Sequence, residues 1–406
     1  MLSTVAGDFA AKMCSAENVP KNPRYRHADA AFCSQKRRDH IGRGTPMTMQ
    51  AEAGFSGNAV LLRALRQNRW TVGLVLVHAL ATALVAARFH LAYDTGAFAA
   101  VGLLMAVLAP AFAMIIVLWR VVHMIRFVRP KRPLPWLIRD IRAIILERDR
   151  FYGALISIPA VVLFCANFTF LKSAIPVINP FGWDQFFSDA DRMLLGGHDA
   201  YTFFLPLATP LITTAINAAY NVWLLVIFFM AFFACLSVED MRARNTFLIA
   251  FVLTWGVGGN LIATIFSSAG PVYFAMLGLG HRLAPLMSTL HAFDKVSPVW
   301  SLQVQGMLWD GYIGRGPISG ISAFPSMHLA TSVVMALYGY RLSRGVGIAL
   351  TVFATMIALG TVLLAWHYAI GSAAGALIGV ACWKIGGRLA AHDEDQITAK
   401  YLGAAM

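Results

Sequence analysis

Eight apolar runs constrain this chain more than any other feature of it. They fall at 70–90, 99–122, 151–171, 215–238, 246–267, 327–340, 346–366 and 368–387. A helix of about 20 apolar residues crosses the ~30 Å hydrocarbon core of a bilayer. Inside that core each backbone N–H and C=O needs a partner from its own segment, so such runs are helical. The sixth run is short, and 205–212 reads as an interfacial lead-in to the fourth. The last two runs nearly touch, which predicts a tight turn near His367. The expected fold is an all-α polytopic membrane protein with about eight transmembrane helices.

Composition points the same way. Apolar residues make up 58% of the chain and charged residues 13%, against about 25% charged in soluble domains. Mean hydropathy is +0.64. A soluble globular enzyme and a disordered chain are excluded. The net charge is +13, but its carriers sit between the apolar runs, so no nucleic-acid partner is expected. Basic residues mark cytoplasmic loops. Lys36, Arg37, Arg38, Arg63, Arg66 and Arg69 precede the first run, and eight basic residues from Arg126 to Arg150 separate the second from the third. Arg242 and Arg244, Arg341 and Arg344, then Lys384 and Arg388 follow the fourth, sixth and eighth runs. Eight crossings put all of these on one side, with both termini cytoplasmic. The loop 172–204 carries Lys172 and Arg192 against Asp184, Asp189, Asp191 and Asp199. It faces outward, as do 268–326 and the turn at 366–368.

These runs and loops divide the chain into five parts. Residues 1–60 form a polar, Lys- and Arg-rich cytosolic tail without a signal-peptide run, expected to be disordered; Met47 or Met49 would serve equally as a start. Residues 61–122 supply two accessory transmembrane helices. In 123–150, Arg129-Pro-Lys-Arg-Pro133 interrupts any helix, and 136–145 reads as a basic interfacial helix or a solvated positive loop. Residues 151–388 form a six-helix core, and 389–406 a cytosolic tail. Cys14, Cys33, Cys165, Cys235 and Cys382 show neither a disulfide framework nor a metal-binding spacing. No metal and no cofactor is expected.

The chemistry gathers in the outward loops. Phe324-Pro-Ser-Met-His328 opens the sixth run, and Trp366-His367-Tyr368 closes the seventh. These runs form an antiparallel pair, so two imidazoles far apart in sequence reach the same membrane face. Two histidines suit phosphoryl transfer: one attacks phosphorus and the other protonates the leaving alkoxide. Ser326 precedes a helix start, whose free N–H groups favour a phosphate. Arg315, among Gly311, Gly314, Gly316 and Gly320, is an outward cation on a bendable stretch. Asn217, Tyr220, Asn221 and Asn260 are polar groups within spans, read as interhelical hydrogen bonds or cavity lining. Trp255-Gly-Val-Gly-Gly259 reads as close helix packing.

Gly320-Ile-Ser-Ala-Phe-Pro-Ser-Met-His328-Leu-Ala resembles the second signature motif of the type 2 phosphatidic acid phosphatase superfamily. The resemblance is closest to its inositolphosphorylceramide synthase (aureobasidin-resistance-type) branch. His367-Tyr-Ala-Ile-Gly-Ser-Ala-Ala-Gly375 resembles the third motif, Ala269-Gly-Pro-Val-Tyr273 the branch's first motif, and Asp191-Arg-Met-Leu-Leu-Gly196 its acidic loop. The resemblance covers roughly 150–388. It implies a lipid phosphatase or phosphotransferase with His367 as nucleophile and His328 as acid, working through a phosphohistidine. It also implies that Ser326, Pro271 and Tyr273 line the substrate site, and that the partner is a lipid phosphate or phospholipid. Gly371 stands where the family has the Asp that orients the nucleophile, and Thr361 where many members have an Arg. Three explanations of Gly371 stay open. Another outward carboxylate such as Asp294 or Asp310 substitutes, the protein is a slow or inactive relative, or it is a variant of an active parent.

The expected function is thus transfer or hydrolysis of a lipid phosphate at the outer face of a membrane, the bacterial inner membrane being the expected one. Inositolphosphoryl or related head-group transfer is its finer form. A lipid-binding or scaffold role for a catalytically impaired member is the alternative. A transporter is disfavoured by the lack of an internal repeat and of charged residues mid-span.

Overall fold

The computed structural model describes residues 57–92, 95–316 and 320–403. Most of the expected N-terminal tail therefore lies outside the described residues. The chain divides into two units, Met1–Leu61 and Leu62–Met406. Of the first, the structure describes the opening turn of a helix, α1 (Gly57–Gln67). The second unit carries the remaining helices.

The described residues are helical, without strands. Seven helices are long and apolar enough to cross a membrane. They are α2 (Arg69–Arg88), α3 (Thr95–His123), α5 (Arg148–Ile178), α7 (Pro210–Leu236), α8 (Met241–Leu253 with its continuation to Ile265), α12 (Arg344–Leu363) and α13 (Ala369–Gly403). The expected short sixth run is α11 (Met327–Leu342), 16 residues and ~24 Å long. It is more enclosed than its length suggests, with Met335, Ala330 and Ser332 fully buried. Between the spans lie α4 (Pro133–Ile145), α6 (Asp184–Leu194), α9 (Ala284–Asp294) and α10 (Trp300–Tyr312). All eight apolar runs are helices, and α13 continues through the stretch expected as a tail as far as Gly403.

Burial separates a core from a periphery. In α2 and α3 only 22% and 17% of the apolar window is buried, against 50–56% in α5, α7 and α8. Leu76, Leu80, Leu84, Leu103 and Leu118 on the first two are exposed, as lipid-facing side chains would be. α4 buries no residue and is tied to α3 by a two-bond Arg120–Asp140 pair at 2.6 and 2.7 Å.

Two features bring the core helices unusually close. α13 lays Gly375 and Gly379 against α11, where a Cβ would collide with the carbonyl oxygens of Ser326 and Ala330. α8 unwinds into a π-helical stretch, Thr254–Ile262, where a Cβ on Gly259 would lie 2.8 Å from the Phe168 ring. There Asn260 joins His78 of α2 (2.9 Å) to the Phe168 carbonyl of α5 (3.3 Å). π-turns of this kind concentrate at functional sites. The expected tight turn between α12 and α13 occupies Leu364–Tyr368, with Ala365 at φ +58°.

Candidate active site

α11 begins and α12 ends at one end of the bundle, so His328 and His367 meet. Their ring centroids are 5.8 Å apart, with the rings steeply inclined to each other. Three chain segments wrap the pair: 266–273, 320–326 and the 364–368 turn. Gly270 is where they converge. Its φ is +111°, and a Cβ would lie 2.8 Å from both the Ala323 Cβ and the Trp366 carbonyl oxygen. A side chain there would force two of the three apart.

His367 is 4% exposed, and its environment dictates its tautomer. Nδ1 lies 2.6 Å from the Ala323 carbonyl oxygen. A carbonyl only accepts, so Nδ1 carries the proton and donates. Nε2 then holds the lone pair, and it has no partner among the described residues. Burial pushes this imidazole down to about 4, the Ala323 acceptor pulls upward, and the Lys172 charge adds to the fall. His367 is accordingly neutral at pH 7, as a nitrogen nucleophile must be.

The acceptor that orients this imidazole is therefore a backbone carbonyl. Gly371 is what lets it approach: a Cβ at 371 would sit 3.2 Å from that same oxygen. The expected substitutes, Asp294 and Asp310, do not reach the imidazole. Asp294 accepts from the Val299 N–H (2.7 Å), and Asp310 is exposed. Thr361 has a bracket role. Its carbonyl accepts from the N–H groups of Trp366 and His367 (3.1 and 2.8 Å), and its hydroxyl from Ser372 (2.7 Å).

The turn that carries His367 is held mainly by α6. Asp184, Phe187, Ser188 and Asp191 form one buried face of it. Asp184 accepts from the Ser268 hydroxyl, the Ala269 and Gly270 N–H groups and the Tyr368 hydroxyl, all within 2.7–2.9 Å. Asp191 accepts from Ala369 and Ile370 N–H (2.6 and 2.8 Å). It thereby caps the first turn of α13, where an anion also meets the positive end of the helix dipole. Burial raises the Asp191 pKa despite these two donors. From the other side, Gln305 donates to the Leu364 carbonyl (2.8 Å).

His328 lies between aromatic rings. Tyr220 and Trp223 of α7 approach it at 4.2 Å each. Trp223 is locked by an Nε1–H bond to Thr331 (3.0 Å). The Tyr220 hydroxyl is buried with no partner among the described residues. Lys172, near the end of α5, brings a positive charge that acts on both histidines. Among the described residues no ion pair or hydrogen bond engages its ammonium group.

The other expected residues lie around this pair or beyond it. Ser326 caps α11, accepting from Leu329 N–H at 3.4 Å, and its own N–H donates to the Gly371 carbonyl at 2.9 Å. Pro271 lines a shallow cavity with His367, Asp191, Tyr201 and Tyr368. Tyr273 is 1% exposed, donates to the Gln305 carbonyl (2.9 Å) and stacks on Trp309. Arg315 is exposed in the turn after α10, bonded through its N–H to the Asp310 carbonyl, and makes no bond to either histidine. Asn217 accepts from Ser301 of α10 (2.6 Å), which is interhelical bonding of the kind expected.

Sequence reasoning missed Ala323, the clamp role of Asp184, and Tyr220 and Trp223 as the walls around His328; Lys172 it named as one of several outward cations. The seven-residue spacing of Asp184 and Asp191 was a usable signal, since it puts both on one face of a helix. Ala323 left none.

Residues 185–385 match the family model described as the PAP2 superfamily. No curated protein and no solved structure matches the chain. The matched stretch contains both histidines, Asp191 and the helices beside them, and it begins one residue after Asp184. The match spans 201 of the chain's 406 residues, just under half, and over that stretch the chain is similar to the PAP2 superfamily, a group of phosphatase- and phosphotransferase-type lipid enzymes.

Proposed function

We propose that the protein cleaves a lipid phosphate ester through a phosphohistidine on His367. The observation that carries this reading is the unpartnered Nε2 of a neutral, carbonyl-anchored imidazole facing a second histidine. The Nε2 lone pair attacks phosphorus, and the bond from phosphorus to the lipid oxygen breaks. His328, as imidazolium, gives its proton to that leaving oxygen. Lys172, charged and without an internal partner among the described residues, holds the non-bridging phosphate oxygens. A hydroxyl then attacks the phosphorus–nitrogen bond, His328 takes its proton, and His367 is regenerated. Ser326, Pro271, Tyr273 and Arg315 belong to the expected substrate surroundings, with Arg315 requiring a movement of its turn to take part.

Water as the acceptor makes a phosphatase. A lipid or inositol-type hydroxyl makes a transferase, and inositolphosphoryl transfer is the finer form of that reading. The burial of His367 favours transfer, because an enclosed site admits water poorly. The basic connections Arg242–Arg244, Arg341–Arg344 and the start of α5 lie at the other end of the bundle, so the positive-inside rule turns the histidines to the outer face, the periplasm in a bacterial inner membrane.

The test uses lipid phosphate labelled with ³²P, in micelles, followed by rapid denaturation in base, where phosphohistidine survives. Label should stay on the wild-type protein and be absent from His367→Ala. His328→Ala should lose about 10²–10⁴-fold in rate on an alkyl leaving group and much less on a nitrophenol, which needs no proton. Equal losses on both leaving groups would remove His328 from the acid role. Label retained by His367→Ala would end the proposal. Absence of turnover and of label in every form would favour the lipid-binding alternative.

A further inference from the structure

A second polar cavity lies at the opposite end of the bundle from the histidines. It measures about 150 Å³ and is lined by Arg63, Gln67, Glu147, Arg150, Gly153 and Arg244 among others. Arg244, in the first turn of α8, is 1% exposed. Its Nε donates to the Ala234 carbonyl (3.1 Å) and its Nη1 to the Asn245 side-chain oxygen (2.8 Å). Both acceptors are neutral. Nη2 is buried and has no partner among the described residues.

The acids nearby are already engaged. Glu147 pairs with Arg150 at 2.8 Å, Asp149 with Arg63 at 3.7 Å, and Asp240 with Arg341 at 2.9 Å. Removing a guanidinium from water without a counter-charge is strongly unfavourable. Yet the chain places no carboxylate on Arg244 among the described residues. Instead it leaves space there: Gly153 of α5 faces Nη2, and its Cβ position would be 3.8 Å away.

We propose that this cavity binds a phosphate group, with the free Nη2 edge of Arg244 as its principal donor. Guanidinium matches the oxygens of a phosphate, and its weak hydration suits a buried pair. Basic recesses between helices on the cytoplasmic side take phospholipid head groups, and inorganic phosphate offers the same oxygens. The bound anion would join α5, α7 and α8 at this end. The site is separate from the histidines and does not depend on the reaction proposed for them.

The experiment measures the thermal unfolding midpoint of the full chain in micelles. A Lys172→Ala/His367→Ala background keeps phosphate away from the other site. Saturating inorganic phosphate is compared with chloride at equal ionic strength, and phosphatidylglycerol with the diacylglycerol of the same chains. A rise of about 3 °C or more is expected with a phosphate-bearing ligand. It should vanish in Arg244→Gln and in Gly153→Met, which fills the recess but keeps the charge. Should Arg244→Gln fail to fold, Gly153→Met carries the test. A rise with the lipid alone assigns the site to a head group, and one with inorganic phosphate alone to the free ion. No rise with either, or an unchanged rise in Gly153→Met, overturns the proposal.

Discussion

Replacing Gly371 by Asp should damage this protein, although it introduces the carboxylate that the motif resemblance leads one to expect there. A Cβ at 371 meets the Ala323 carbonyl oxygen at 3.2 Å and Phe324 Cδ2 at 3.4 Å, the first closer than ordinary van der Waals contact. That oxygen is held at 2.6 Å by the proton on His367 Nδ1, and the Ala323 N–H is bonded to Ser268, so the segment has little freedom to retreat. Overpacking of this kind costs about 1–3 kcal/mol. The carboxylate adds a second acceptor beside the carbonyl, in a buried place, competing for one donor. Differential scanning in micelles should show Gly371→Asp unfolding about 2–10 °C below wild type. Gly371→Ala, which supplies the Cβ without the charge, should fall between them. Turnover of labelled lipid phosphate should not rise, because the imidazole already has its orienting acceptor. The reasoning is refuted if Gly371→Asp unfolds at or above the wild-type temperature and turns over about tenfold faster, a gain of ~1.4 kcal/mol in the barrier. The carboxylate would then have displaced the carbonyl and improved on it.

Three further outcomes rest on the same geometry. Lys172→Met should raise KM for a lipid phosphate by roughly 10- to 150-fold, the equivalent of one charged hydrogen bond, with a matching loss of product inhibition by phosphate; an unchanged KM would remove Lys172 from the site. Asp191→Asn should cost about 0.5–2 kcal/mol through the weakened cap on α13. Because burial holds the Asp191 pKa above its unfolded value, the folded state keeps that proton longer, and its contribution to stability declines as pH rises through the folded pKa. The difference between wild type and Asp191→Asn, measured by unfolding across the acid range, should carry that slope. Finally, His367 titrates at about 4 rather than 6.5. The acid limb of kcat/KM on a phosphodiester, which has no second ionisation of its own, should therefore lie well below the ordinary histidine range, and a limb at the ordinary value of 6.5 would place a different group in control.

Much of the fold was legible in the sequence because its cause is local. A run of about 20 apolar residues has one stable way to cross a bilayer, so the helices, their order and the meeting of two histidines at one end of the bundle are all properties of composition along the chain. The histidines themselves stood out because an ionisable ring at a span terminus is rare. Asp191 was visible as part of a motif, but its work as the cap of α13, 178 residues away, was not.

What the tertiary structure alone decided is how His367 is held. The sequence showed a missing carboxylate and left three explanations open. The fold shows a hydrogen bond from Nδ1 to the backbone of Ala323, made possible by the bare face of Gly371. A backbone carbonyl is the same in every residue type, so no side chain at 323 announces it. The same holds for the lone guanidinium edge of Arg244, which in sequence is one more basic loop residue. Apolar pattern and charge are properties of neighbours along the chain. An acceptor supplied by a backbone 44 residues distant, or a counter-charge withheld, exists only once the helices have packed.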